Sequence, residues 1–219
     1  MQPTVFTRTN RLITGLAGLL GGATSIAMIG LYFTYSGPPP LTNVLIRTLL
    51  GVVVFVGFLI FAVGLARMLK SSGNGDPGMS GSLAITALIT YITVTLVAAS
   101  IEAGTSIWYP DGSMDPTVDG PLSAATVLLH GPIARFLVAL FLIALYFATA
   151  KIFSNRVRSG SLALAIVNLA LVPSLFFGMN PAFFYAANGW GTTATIGAVN
   201  MIWFAVLGLA VLRSKQRKV

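Results

Sequence analysis

The chain has 219 residues, 56% of them hydrophobic and 8% charged, with a mean hydropathy of +0.88. Soluble domains carry about 25% charged residues, so the composition excludes an ordinary soluble fold and leaves a single integral membrane domain over 1–219. The net charge of +8 does not mark a nucleic-acid binder, because the basic residues sit in short segments beside apolar runs, and the absence of cysteine rules out disulfides, thiolate zinc sites and iron–sulfur clusters.

A membrane-crossing helix needs about 20 apolar residues. Six such runs occur, at 12–35, 44–68, 82–104, 122–152, 160–179 and 194–212. The short alternating segments of a barrel do not, so the expected fold is an all-α polytopic bundle of six transmembrane helices. Span 1 follows the basic stretch "MQPTVFTRTNR" but is longer than a signal-peptide core and has no clean cleavage site after it, so it is read as retained. Gly15, Gly18, Gly22 and Ser25 line one side of it, which lets another helix approach closely. That neighbour is either another helix of the chain or a second protein in a homo- or hetero-oligomer built on Gly15, Gly18 and Gly22.

Span 2 carries Arg47 near its start. Span 3 has two polar faces, Tyr91–Thr95–Glu102 on one side and Thr86, Thr90, Thr93 and Ser100 on the other. Hydroxyls can bond the carbonyls of their own helix, so the threonine side can face lipid, and the side with Glu102 should point inward. Span 4 contains "LLHGPIARF" with the only histidine, His130, and Arg135 on either side of Gly131-Pro132. Proline lacks an N–H and is accepted at the first helical position, so span 4 is either one helix kinked at Pro132 or a half-helix followed by a crossing helix that begins there. On a straight helix His130 and Arg135 lie about 140° apart and share a face only if it bends. Spans 5 and 6 carry Asn168 and Asn200, residue types that commonly join helices within a membrane.

Lysine and arginine set the orientation. Eleven of the 13 basic residues fall on one side: Arg8, Arg11, Arg67, Lys70, Lys151, Arg156, Arg158, Arg213, Lys215, Arg217 and Lys218, with Asp76 as the only acid among them. Glu102, Asp111, Asp115 and Asp119 fall on the other. Both termini are therefore expected in the cytoplasm. Tyr32, Tyr35, Trp108, Tyr109, Tyr185 and Trp190 gather at the outer boundary as an aromatic belt.

Counted at about 1.5 Å per residue from Lys151, Arg135 lies about 24 Å up the helix, just below the outer boundary of a core about 30 Å thick. Arg47 and Glu102 reach the same level, and His130 sits just above Arg135. These four residues, joined by Tyr91 on the face of Glu102, form the candidate ligand site. Their structural alternative is a set of ties, with Arg47 snorkelling to the interface and Arg135 paired most simply with Glu102.

One histidine and no cysteine exclude multi-histidine metal centres and bis-histidine haem within the chain. No aspartate lies within a span for an aspartyl-protease dyad, and no G-x-S-x-G or phosphate-binding glycine loop is present. Asp111, Asp115 and Asp119, spaced by four, fit turns rather than an EF-hand. No cofactor, metal or catalytic set is expected.

The segments "LLHGPIARF", "FSNRVRSGSLAL" and "IWFAVLGLAVLRSK" give the chain a layout that resembles uncharacterised bacterial six-span membrane proteins of the domain-of-unknown-function kind. The resemblance implies a multi-pass protein of the bacterial plasma membrane and carries no assigned site residues. The leading functional expectation is a non-enzymatic protein that binds or moves a small amphiphile or lipid near the outer leaflet, contacting membrane lipids and no nucleic acid. A structural or regulatory subunit of a membrane complex is the alternative. A membrane-embedded enzyme using His130 as acid/base, oriented by Glu102, is the second.

Overall fold

The computed structural model describes residues 6–35, 37–72 and 75–214; Lys215, Arg217 and Lys218 of the basic run lie outside them. The described residues are helical, with no strand among them: α1 (Arg8–Gly30), α2 (Leu41–Ser72), α3 (Gly78–Trp108), α4 (Gly120–Leu128), α5 (Ala134–Ala148), α6 (Asn155–Leu171) and α7 (Ile196–Arg213). Six stretches are long and apolar enough to cross a membrane: Arg8–Phe33, Leu41–Ser72, Gly78–Trp108, Gly120–Ala148, Asn155–Phe177 and Gly191–Arg213. The chain is thus a multi-pass all-α membrane protein.

Several helices overrun the apolar runs by a turn, because local capping sets their ends rather than hydropathy. Thr7 Oγ1 accepts from Asn10 N at 3.2 Å and starts α1 at Arg8. Ser154 does the same for α6, accepting from Val157 N at 3.5 Å, so this helix begins five residues before the predicted span, through Arg156 and Arg158. α6 ends early at Leu171: Pro173 has no N–H to donate into the helix ladder, and from Val172 the chain continues only as a tighter turn to Phe177.

Neighbouring spans run in opposite directions, and hydrogen bonds tie their ends. Arg11 Nη1 donates to Ser214 O at 2.7 Å, linking the start of α1 to the end of α7. Arg158 Nε donates to Tyr146 O at 3.0 Å and covers the Tyr146 ring, linking α6 back to α5. Among the described residues, Arg8, Arg11, Arg67, Lys70, Lys151, Arg156, Arg158 and Arg213 lie at one end of the bundle and the acidic loop 109–119 at the other.

Helices gain little hydrophobic drive for association in lipid, so close packing must hold them. α1 supplies it with glycine. A Cβ on Gly22 would lie 2.5 Å from Met201 O, one on Gly15 2.9 Å from Gly208 O, and one on Gly18 2.8 Å from the Phe61 ring. The neighbours of the predicted glycine stripe are therefore α7 and α2 of the same chain. In the centre, Phe204 of α7 stacks on Phe141 (centroids 5.8 Å, 8°) and Tyr91 (6.0 Å, 17°) and meets Phe58 at 4.5 Å. Such aromatic pairs contribute about 0.5–1.5 kcal/mol each beyond their contact area. Asn168 and Asn200 exchange reciprocal hydrogen bonds of 2.9 and 3.0 Å between α6 and α7, both buried.

Candidate functional site

The predicted faces of α3 are found as expected. Tyr91, Thr95 and Glu102 are buried. Thr90, Thr93 and Ser100 are exposed and bond back to Thr86 O, Ile89 O and Leu96 O at 2.9, 3.0 and 2.8 Å. The inward face, however, does not converge on one site. Tyr91 is 5% exposed within the aromatic stack, eleven residues and about 16 Å below Glu102.

Arg47 and Glu102 form a buried ion pair, Nη2 to Oε1 at 2.6 Å. A third residue completes it: Tyr32, in the turn Leu31–Phe33 after α1, donates its hydroxyl to Glu102 Oε2 at 3.0 Å and offers its ring face to Arg47, 3.8 Å from the guanidinium carbon. Arg47 is 3% exposed, so it does not snorkel; its charge is held inside by Glu102 and the tyrosine ring. Three helices are thereby fastened at one level. Arg47 Nε, Asn43 Oδ1 and Ser106 Oγ are buried there without partners, and Asn43 and Ser106 each lie one turn beyond a member of the ion pair.

Span 4 bends at its Gly-Pro. Residues 129–133 form a wide turn between α4 and α5, and Gly131 leaves helical geometry at φ −91° and ψ −109°. The proline that follows it accounts for the departure, since it disfavours helical geometry at the residue before it. The bend sends His130 and Arg135 to different neighbours. His130 Nε2 lies 3.2 Å from Thr95 O of α3. A carbonyl can only accept, so Nε2 carries the proton, and in the neutral ring Nδ1 is left as an acceptor. Thr95 lies seven residues, about 10 Å, below Glu102. The expected common depth of the four residues is therefore not found, and Glu102 does not orient His130.

Arg135 does not pair with Glu102 either. Its Nη1 donates to Leu171 O at 3.1 Å and Ser174 Oγ at 2.9 Å. Leu171 ends α6, so the bond to its carbonyl sets the Arg135 charge at the negative end of that helix. The side chain is 2% exposed, yet Nε and Nη2 have no hydrogen-bond partner, and among the described residues no carboxylate pairs with it. A Cβ on Gly131 would lie 3.0 Å from Arg135 Nη2 and 3.5 Å from Ala187 O, so the bend gives the guanidinium its room. Loop 178–190 folds over the same region, fixed by Ala187 N to Gly178 O at 2.9 Å and by the Tyr185 hydroxyl on Ala170 O. Asn188 Oδ1 in that loop is also buried and unpartnered.

The arrangement is thus two polar centres: a closed Arg47–Glu102–Tyr32 knot among α1, α2 and α3, and an open-valenced Arg135 where α5, α6 and loop 178–190 meet. Among the described residues, no group of three His, Asp or Glu side chains gathers as metal ligands would. No family model, curated protein or solved structure matches the chain. Sequence reasoning missed Tyr32, which reads as a belt residue, and Ser174 and Leu171; the proline of "LVPS" held a signal for the last two, since it marks where the α-helix stops and presents its negative end.

Proposed function

We propose that the protein binds the anionic polar group of a small amphiphile or lipid at the end of the bundle that faces the outer leaflet of a bacterial plasma membrane, with Arg135 as the recognising residue. One observation carries this reading: a guanidinium 2% exposed, with two donor atoms unpartnered and no carboxylate paired to it among the described residues. A buried charge without a counter-charge is costly, and in a membrane such a residue marks a functional site. Carboxylate or phosphate oxygens match the two open donors as a fork. His130 is turned to Thr95 O of α3, and Glu102 and Arg47 act on each other; these three hold the neighbouring helices in place.

The alternative rests on the other half of the same side chain. Nη1 is fully used on Leu171 O and Ser174 Oγ, which favours a structural tie between α5 and α6 in a membrane subunit. Native mass spectrometry of protein released from its own membrane separates the two. The ligand reading expects an anionic adduct on wild type, lost from folded Arg135→Gln and retained in part by Arg135→Lys. A wild type free of adducts, with Arg135→Gln merely less stable, refutes it in favour of the tie.

A further inference from the structure

A second polar–apolar site lies at the basic end, independent of Arg135. Between α1 and α2 the surface opens into a groove of about 310 Å3, at the small end of the range for small-molecule sites. Its floor is the contact of Thr14 with Gly64, where any side chain on residue 64 would overlap the threonine. Its walls are apolar: Ile13, Leu59 and Val63 line it, 53%, 39% and 57% exposed. Its mouth is polar. Asn10 and Arg67 stand there, and among the described residues neither the Asn10 carboxamide nor the Arg67 guanidinium makes an ion pair or side-chain hydrogen bond. Arg67 is exposed, and Arg8 and Lys70 lie within one turn of these two residues along α1 and α2.

Depth and charge together select the occupant. Asn10 and Arg67 fall in the first turn of α1 and the last turns of α2, where the apolar spans give way to the basic end. Below them the groove runs along helix faces that meet lipid tails. A molecule that fills it must carry a hydrocarbon chain beneath a negative group at the interface. We infer that this groove is a binding site for an anionic phospholipid of the leaflet on the basic side, with one acyl chain seated on Thr14 and Gly64 between Ile13, Leu59 and Val63, and the phosphate held by Arg67 and Asn10.

The test uses the full chain in detergent micelles, titrated with dioleoylphosphatidylglycerol or dioleoylphosphatidylcholine and read by native mass spectrometry. One basic residue facing an anionic headgroup contributes about fivefold in affinity. The wild type should show a first binding step at least about fivefold tighter for phosphatidylglycerol. Arg67→Gln should remove that preference, and Val63→Trp, which fills the groove from its exposed rim, should remove the step itself. Arg213→Gln, at the same end but on α7, should leave both unchanged. Equal binding of the two lipids by wild type overturns the inference. So does a Val63→Trp protein that keeps the tight step, or an Arg213→Gln protein that loses the preference as Arg67→Gln does, because either would make the attraction a diffuse property of the basic end.

Discussion

Breaking the Arg47–Glu102 pair from one side should cost far more than removing it whole. The two side chains are 3% and 6% exposed and meet at 2.6 Å, so Arg47→Met leaves Glu102 in a dry site with only the Tyr32 hydroxyl. Loss of one partner of a buried pair costs about 3–5 kcal/mol. Tyr32→Phe removes one hydrogen bond to the carboxylate, worth about 1.5–3 kcal/mol, with the lower end expected because Tyr32 is 36% exposed. The double variant Arg47→Met/Glu102→Leu removes both charges and both desolvation costs; apolar replacement of a buried pair is often neutral or better. It should therefore lie within about 1 kcal/mol of wild type. The assay is reversible unfolding in mixed micelles with increasing sodium dodecyl sulfate, followed by tryptophan fluorescence. Additive losses, with the double variant as unstable as the two singles summed, would refute the reasoning, because they would show that the two residues do not act on each other.

Other expectations follow from individual positions. A Cβ on Gly208 would lie 2.6 Å from Gly15 O and 2.9 Å from Gly18 C, so Gly208→Ala must push two backbones apart and should cost at least about 1–3 kcal/mol in the same assay. Gly104→Ala, on an exposed helical face with nothing within 4 Å, should instead stabilise by about 0.5–1 kcal/mol. Asn168→Leu should cost about 1–2 kcal/mol by leaving Asn200 without its partner, and adding Asn200→Leu should recover part of the loss; a double variant worse than the sum would contradict the reciprocal bond. In loop 109–119, hydrogen bonds from the Ser113 hydroxyl and then its N–H hold the Asp111 carboxyl below the usual carboxylate range. The turn is thus fully supported at neutral pH and loses this contribution as pH falls through the lowered value. Carbon-detected NMR titration of Asp111 beside a Ser113→Ala variant, whose Asp111 should titrate higher, checks the direction.

The sequence makes faces legible and leaves pairings open. Glu102 is the only acid inside a span, and carboxylates avoid lipid, so the burial of Tyr91, Thr95 and Glu102 follows from helical periodicity. Which cation meets Glu102 depends on which helices are neighbours, and periodicity within one helix carries no such information; Arg47 and Arg135 are equivalent until α2 and α5 are placed. Depth fails for a related reason. Counting residues from Lys151 assumes an unbroken rise, but span 4 ends its helix at Ala148 and changes geometry at Gly131, and the chain above the bend enters the bundle deep enough for His130 to reach Thr95. The bend itself was legible in Gly131-Pro132, because it is a property of covalent geometry rather than of packing.

The glycine contact between α1 and α7 also bears on how the chain is assembled. Arg11 and Ser214, 203 positions apart, meet at one end of it, and Gly15 and Gly22 of α1 lie so close to the backbone of α7 that a side chain at either would clash with it. A helix that enters the bilayer early in synthesis therefore keeps its tightest surface uncovered until nearly all the later spans have been inserted. Assembly of this bundle includes a ring closure, the contact of α1 with α7, and contacts between segments so far apart in a chain are in general slow to form.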